Sequence, residues 1–175
     1  MKINRTWAMP DSNTFSIKPI HDLISRYVAK MRIIIDPFVR NSPFKNFCTS
    51  NDLDKEIKAD YNIDALEFLK EIKSNSVDLV LFDPLYSARQ ISECYKKMNM
   101  VVNMETTQEI FWRRLKEQIY RITKSDAFVI SCGWNSGGVG KKYGFNITEI
   151  LLVPHGGAHN DTIVVVEQKT LDFFT

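Results

Sequence analysis

Residues 83–86, Asp-Pro-Leu-Tyr, form the segment whose residue types best suit chemistry. They follow Val77–Phe82, where five apolar residues in six predict a strand buried on both faces, as in a parallel sheet. Pro84 ends the hydrogen-bond ladder, so Asp83 and Tyr86 lie together at the carboxyl end of the strand, where open α/β sheets bind ligands. A carboxylate beside an aromatic ring suits a planar amine, because the acid accepts its hydrogens while the ring stacks on its face. The alternative is a strand that ends in an ordinary Asp-Pro turn.

Four charged residues and one aromatic residue stand beside the ends of the elements predicted before this strand. Asp36 opens an Asp-Pro-Phe segment directly after the predicted strand 33–35, and Asp52 follows the predicted strand 46–50. Each of these residues, taken alone, is also compatible with a cap or turn. The full set is Lys18, Asp36, Phe38, Asp52 and Asp64.

The order of these segments resembles the S-adenosylmethionine-dependent methyltransferases that modify exocyclic amino groups of adenine or cytosine in DNA. Residues 83–86 resemble their Asp-Pro-Pro-Tyr motif, and residues 36–38 resemble the opening of their first cofactor motif. The resemblance extends over about residues 14–167, and the chain is similar to small phage-type adenine methylases.

This resemblance implies a role for each residue. The catalytic set would be Asp83, Pro84 and Tyr86, with the acid and the Pro84 carbonyl accepting the hydrogens of the adenine amine. For the cofactor S-adenosylmethionine, the implied contacts are Lys18 with the methionine carboxylate, Asp36 and Phe38 in the first cofactor motif, Asp52 with the ribose hydroxyls, and Asp64 with the adenine amino group.

The chain departs from the family pattern at two places. Leu85 replaces the second proline of the catalytic motif, and the first cofactor motif continues without its glycines. No glycine precedes Gly133, so the cofactor loop must differ from the usual one. Asn41 is the residue of this loop that we expect to tolerate a left-handed conformation.

Alternating helix and strand patterns predict an α/β fold with a mostly parallel sheet and helices on both faces. The resemblance implies that this is the Rossmann-like class I methyltransferase fold, finished by an antiparallel hairpin. We expect one catalytic domain, residues 1–175, with no separate target-recognition domain. The predicted elements are an irregular lead-in at 1–15, helices at 19–30, 65–72 and 106–123, a loop with a short helix at 87–104, a strand at 127–132, and a hairpin of strands 147–153 and 162–167. In the helix at 106–123 the residues expected to face inward are Ile110, Phe111, Leu115, Ile119 and Ile122.

Composition is that of a globular protein, with 44% hydrophobic and 25% charged residues among 175. No apolar run suits a membrane span or a secretory signal, and the three cysteines contain no CxxC pair, so a reducing cytoplasm is expected. The resemblance implies that this is the cytoplasm of a bacterial or phage-infected cell. No metal site is predicted: His155 and His159 are separated by two glycines that forbid a helix. The glycine-rich stretch 133–144 fails the Walker spacing and is expected to be a flexible loop.

A net charge of +2 does not by itself indicate a nucleic-acid partner. The resemblance implies DNA, either as a duplex with a flipped base or as a single strand, with a homodimer or a separate specificity partner as further options. Basic clusters such as Arg113-Arg114 fit either phosphate contacts or solvated helix faces. Two alternatives stay open: methylation of RNA or of a protein glutamine, and a cofactor-binding partner subunit without catalysis.

Overall fold

A computed structural model describes residues 1–84, 109–157 and 159–170. The strands and helices, in chain order, are β1 (Lys2–Arg5), α1 (Lys18–Val28), β2 (Ile34–Asp36), β3 (Thr49–Ser50), α2 (Ala65–Glu71), β4 (Val77–Phe82), α3 (Glu109–Ile122), β5 (Thr123–Gly133), β6 (Phe145–Val153) and β7 (Thr162–Lys169). Short 3-10 turns lie at Thr14–Ser16, Lys45–Phe47 and Lys141–Tyr143.

The seven described strands form one sheet in the order β1-β6-β7-β5-β4-β2-β3. Strand β7 pairs antiparallel with β5 and β6, and every other neighbouring pair is parallel. The predicted α/β class, the mostly parallel sheet and the C-terminal hairpin are therefore confirmed. This is the Rossmann-like methyltransferase fold.

Strand β4 is the centre of the hydrophobic core because both of its faces are covered. Leu79 and Leu81 point to the layer that contains α1, whereas Val80 and Phe82 point to the layer that contains α2 and α3. Leu79, Leu81 and Val80 are fully buried, and Phe82 is 4% exposed. Helices on both faces are thus confirmed, and the buried strand fixes the position of the Asp83 that follows it.

The helices bury one stripe each. In α1 the buried residues are Ile20, Leu23 and Ile24, at the spacing of one helical face. In α3, Leu115 and Ile119 are fully buried, as the sequence pattern predicts. The inward position predicted for Ile110 is wrong, since 38% of this residue is exposed. The next two residues, Phe111 and Trp112, pack against the core instead.

The N-terminal prediction is also corrected. The expected irregular lead-in contains β1, which pairs with β6 from Lys2↔Glu149 to Arg5↔Leu152. The strand expected at 46–50 is shorter, because a 3-10 turn takes up its first residues before β3. The predicted segment 87–104 lies outside the described residues. Within the described ranges, no helix has both the length and the apolar composition needed to cross a membrane.

Candidate active site

Three carboxyl groups meet at the carboxyl edge of the sheet. Asp36 ends β2, Asp52 follows β3, and Asp83 follows β4, and these three strands are parallel neighbours. Their exposed fractions are 0%, 9% and 3%. The negative charges of Asp83 and Asp52 both raise the pKa of Asp36. The predicted convergence of these acids is therefore present.

Asp83 is held by a cation and a hydroxyl. Arg40 Nη2 lies 2.5 Å from Asp83 Oδ2 and 2.8 Å from the Asp83 backbone oxygen. The Thr14 side chain also forms a hydrogen bond with Asp83. Burial raises the pKa of Asp83, while Arg40 and Thr14 oppose that rise by favouring the ionised form. The carboxyl group is thus both desolvated and oriented. Pro84 follows it directly, whereas Leu85 and Tyr86 lie outside the described residues.

Asp36 is the fully buried member of the three acids. Its Oδ1 accepts a hydrogen bond of 3.0 Å from the Phe38 backbone, which is the geometry of a turn-capping aspartate. Its Oδ2 is buried without a hydrogen-bond partner among the described residues. Burial raises the pKa of Asp36 from 3.8 to about 8, and the like charges of Asp83 and Asp52 add to the rise. Asp36 is consequently protonated at neutral pH.

Arg40, in the loop that follows residues 36–38, is a residue of the site that sequence reasoning missed. Its φ is +43°, in the left-handed region, so the prediction that Asn41 takes this conformation is wrong. The Arg40 backbone N–H donates to Asp52 Oδ2 at 2.9 Å, and its guanidinium reaches Asp83. The loop therefore keeps a glycine-like backbone and adds a cation. The signal in the sequence was the charged side chain of Arg40 in a loop that contains no glycine.

Asp52 faces the same loop with both of its oxygens. Oδ2 accepts from Arg40 and Oδ1 accepts from the Asp54 backbone, each at 2.9 Å. Each carboxylate oxygen has a second lone pair, so these bonds leave acceptor capacity at the surface of the site. Phe38 packs edge-on against Phe82, with ring centroids 5.9 Å apart. It is half-buried and packs against the core, and its place in the wall of the cofactor site stays a prediction.

The other two predicted cofactor residues have local partners in the structure. Asp64 caps α2, its Oδ1 accepting from the backbone N–H groups of Leu66 and Glu67. Lys18 pairs with Asp22 at 2.8 Å, and 84% of its side chain is exposed. The structure thus brings Asp36, Asp52 and Asp83 together but directs Lys18 along the outer face of α1.

A cavity of about 270 Å³ opens beside Pro84, between the ends of β4 and β5. Its lining includes two tryptophans, one cation and two small polar side chains: Pro84, Trp112, Lys116, Ser131, Trp134 and Asn135. The Ser131 hydroxyl is buried without a hydrogen-bond partner among the described residues. Burial lowers the pKa of Lys116, opposed by the charge of Glu167. A flat, polar molecule would find stacking surfaces and hydrogen-bonding groups here.

The glycine-rich stretch borders this cavity at Gly138. Buried Glu167 accepts from the Val139 and Gly140 backbone N–H groups at 2.6 and 2.8 Å. A Cβ added at Gly138 would lie 2.2 Å from Glu167 Oε2, so a side chain at this position would displace the Glu167 carboxylate. The loop follows β5 as predicted, but the structure ties it to β7 where a flexible loop was expected.

The hydrogen bonds of His155 stabilise the hairpin of β6 and β7. It is 6% exposed, and its ring nitrogens bond the Ala8 carbonyl at 2.9 Å and the Thr162 hydroxyl at 2.8 Å. Among the described residues there is no cluster of three or more side chains that could hold a metal ion.

Comparison with known proteins gives structural likeness without sequence likeness. No sequence family and no curated protein matches the chain. TrmN from Thermus thermophilus is similar at 12% identity and TM-score 0.58 over 87% of this chain, which spans only about half, 49%, of that protein. A Burkholderia thailandensis 1,6-didemethyltoxoflavin-N1-methyltransferase with bound S-adenosylhomocysteine gives 11% identity and TM-score 0.60, over 88% of this chain and 78% of the other. A rRNA methylase from Streptococcus thermophilus gives 11% identity and TM-score 0.56, over 87% of this chain and 97% of the other. At these identities the likeness establishes the fold.

Proposed function

We propose that this chain is an S-adenosylmethionine-dependent methyltransferase that transfers a methyl group to the N6 amino group of adenine in DNA. The observation that carries the proposal is the position of Asp83. It lies at the carboxyl end of β4, is 3% exposed, and stands next to a cavity lined by Pro84 and two tryptophans. Solved structures with this fold include methyltransferases, one of them a rRNA methylase.

One observation supports the binding of this cofactor by the residues of the site. Three carboxyl groups and the Arg40 guanidinium gather at one edge of the sheet, and Asp52 keeps acceptor capacity toward the surface. Ionised carboxylates favour a sulfonium and an ammonium, and a carboxylate such as Asp52 favours ribose hydroxyls. When bound, S-adenosylmethionine supplies a methyl group on a positive sulfur that leaves as a neutral thioether.

The chain's own contribution is to bind and orient the accepting amine. The exocyclic nitrogen of adenine is a weak nucleophile because its lone pair is delocalised into the ring. The Asp83 carboxylate and the Pro84 carbonyl accept its two hydrogens, which favours a tetrahedral nitrogen and directs the lone pair at the methyl carbon. Asp83 would take the proton that the nitrogen must lose on methylation and release it to water. We assign Tyr86 to stacking on the base, from the sequence motif.

DNA as substrate is supported by the cavity beside Pro84. The amine of a paired adenine lies inside the duplex, so the base must be flipped out or already single-stranded. Trp112 and Trp134 offer stacking surfaces to an extrahelical base, and Ser131 and Asn135 offer hydrogen-bonding groups to its edge. Lys116 at the same cavity adds a positive charge for the backbone. RNA, a protein glutamine, or binding without catalysis are the other outcomes of the test, and a homodimer or a specificity partner would set the target sequence.

The test is nucleoside mass spectrometry on DNA and RNA from cells that express the wild type, Asp83→Ala or Glu67→Gln. Glu67 is the control because it pairs with Lys70 on the exposed face of α2. N6-methyladenine in DNA with the wild type and the control, but not with Asp83→Ala, is the expected result. A modified base in RNA alone would indicate that the substrate is RNA and not DNA. No modified base in either pool, or undiminished modification by Asp83→Ala, would overturn the proposal.

A further inference from the structure

The cation of the site is Arg40, and its surroundings differ from those of Lys18. Arg40 is the positive charge that acts on Asp36, on Asp83 and on Cys132. Lys18, which the resemblance assigns to the carboxylate of the cofactor, is 84% exposed and ion-paired with Asp22. Among the described residues, the positive charge that a ligand carboxylate would meet beside the three acids is that of Arg40.

Arg40 retains hydrogen-bond donors for such a ligand. Its Nη2 serves Asp83 at both the carboxylate and the backbone oxygen. Its Nε and Nη1 have no hydrogen-bond partner within the described ranges, and 37% of the side chain is exposed. Guanidinium groups are well suited to carboxylates because their donors lie in one plane.

The backbone of Arg40 is fixed as well. Its φ of +43° is held by the hydrogen bond from its own N–H to Asp52 Oδ2 and by the bond from Val39 N–H to the Asn51 carbonyl. An arginine in the left-handed region is unfavourable relative to glycine, so the side chain must offset that cost through its contacts. Its position connects Asp52 with Asp83.

From these contacts we propose that Arg40 binds the carboxylate of the methionine moiety of S-adenosylmethionine, the contact that the family resemblance gives to Lys18. Arg40 is thus a cofactor-binding residue, and through Nη2 it also positions Asp83. The inference rests on the proposed function, since it requires that the cleft bind this cofactor.

Two ligands separate the carboxylate contact from the rest of the site. S-adenosylhomocysteine carries the amino-acid carboxylate, and 5′-methylthioadenosine lacks the whole amino-acid part but keeps the ribose and adenine. Isothermal titration calorimetry measures both with the wild type, Arg40→Gly, Arg40→Asn and Lys18→Met. Glycine and asparagine both tolerate a left-handed backbone, so these variants remove the charge without adding strain. Lys70→Met, which removes a charge from an exposed pair on α2, is the matched control.

The expected result is a loss of S-adenosylhomocysteine affinity of about ten- to a hundredfold in both Arg40 variants, as for the loss of a charge-assisted hydrogen bond. Affinity for 5′-methylthioadenosine stays within about threefold, which also shows that the cleft is folded. Lys70→Met changes neither affinity.

Four outcomes would overturn the inference. Unchanged S-adenosylhomocysteine binding in the Arg40 variants would show that Arg40 does not contact the carboxylate of the ligand. A loss of affinity confined to Lys18→Met would show that Lys18 binds this carboxylate instead. Tighter binding in Arg40→Gly would make Arg40 an obstruction that competes for Asp83. Equal loss of both ligands would indicate general damage to the cleft. If the wild type binds neither ligand, the proposed function fails together with the inference, and that result is distinguishable from the first four because it needs no variant.

Discussion

Replacing the buried carboxyl of Asp36 by an amide should change how stability depends on pH. Asp36 is fully buried, its Oδ2 has no hydrogen-bond partner among the described residues, and its pKa is raised from 3.8 to about 8. Between these two values the folded chain binds one more proton than the unfolded chain. The free energy of unfolding therefore decreases as pH rises through this window, by about 1.4 kcal/mol per pH unit from this group alone.

The size of the effect follows from the two pKa values. Across the full window, the rise from 3.8 to about 8 corresponds to a loss of about 6 kcal/mol. This is a large part of the roughly 5–15 kcal/mol that stabilises a typical domain. Asp36→Asn removes the titration, and its amide oxygen still accepts the hydrogen bond from Phe38. We expect the variant to match the wild type near pH 4 and to be several kcal/mol more stable at pH 8.

The assay is urea denaturation of both proteins at intervals from pH 4 to pH 8. The difference between the two curves isolates Asp36, because all other titrating groups are shared. Asp60→Asn is a control of opposite sign, since hydrogen bonds from Ser50 lower the pKa of Asp60 and its removal costs stability at higher pH. Parallel pH profiles for the wild type and Asp36→Asn would refute the assignment of a raised pKa to this group.

The remaining predictions concern positions outside the three acids. Asp64→Ala removes the N-terminal cap of α2 and should cost about 1 kcal/mol in urea denaturation, with Asp64→Ser recovering most of it; an equal loss in both variants would contradict a capping role. Glu167→Ala leaves two backbone N–H groups of the glycine-rich loop unpaired and should cost about 3 kcal/mol or more, with faster hydrogen exchange at Val139 and Gly140; unchanged exchange there would contradict the anchoring of this loop.

The sequence predicted the fold and much of the site where burial leaves a clear pattern. The strand Val77–Phe82 was predicted with its observed bounds because both of its faces are buried, which gives a continuous apolar run. The convergence of Asp36, Asp52 and Asp83 followed from the rule that parallel strands present their carboxyl ends at one edge.

The features that sequence reasoning missed have no hydrophobic signal. Strand β1 has three exposed residues and is held by backbone pairing with β6, so no apolar alternation marks it. The Arg40–Asp83 ion pair joins residues 43 positions apart, and it depends on a left-handed backbone that the presence of an arginine does not suggest. The pairing of Lys18 with Asp22 competes with the predicted cofactor contact, and a lysine near a helix start is compatible with either.

The pairing of β1 with β6 has a consequence for the order in which the molecule folds. Lys2 is synthesised well before Glu149, its neighbour in the sheet. Strand β1 therefore cannot dock until β6 has been synthesised, and loop closure over this span carries an entropic cost. Glu149 then joins three parts of the chain, since Asn4 and Arg26 donate to Oε1 at 3.1 and 2.9 Å. Closing this edge of the sheet is thus a late folding event, and residues 2–5 remain an unpaired extended segment on the nascent chain until it occurs.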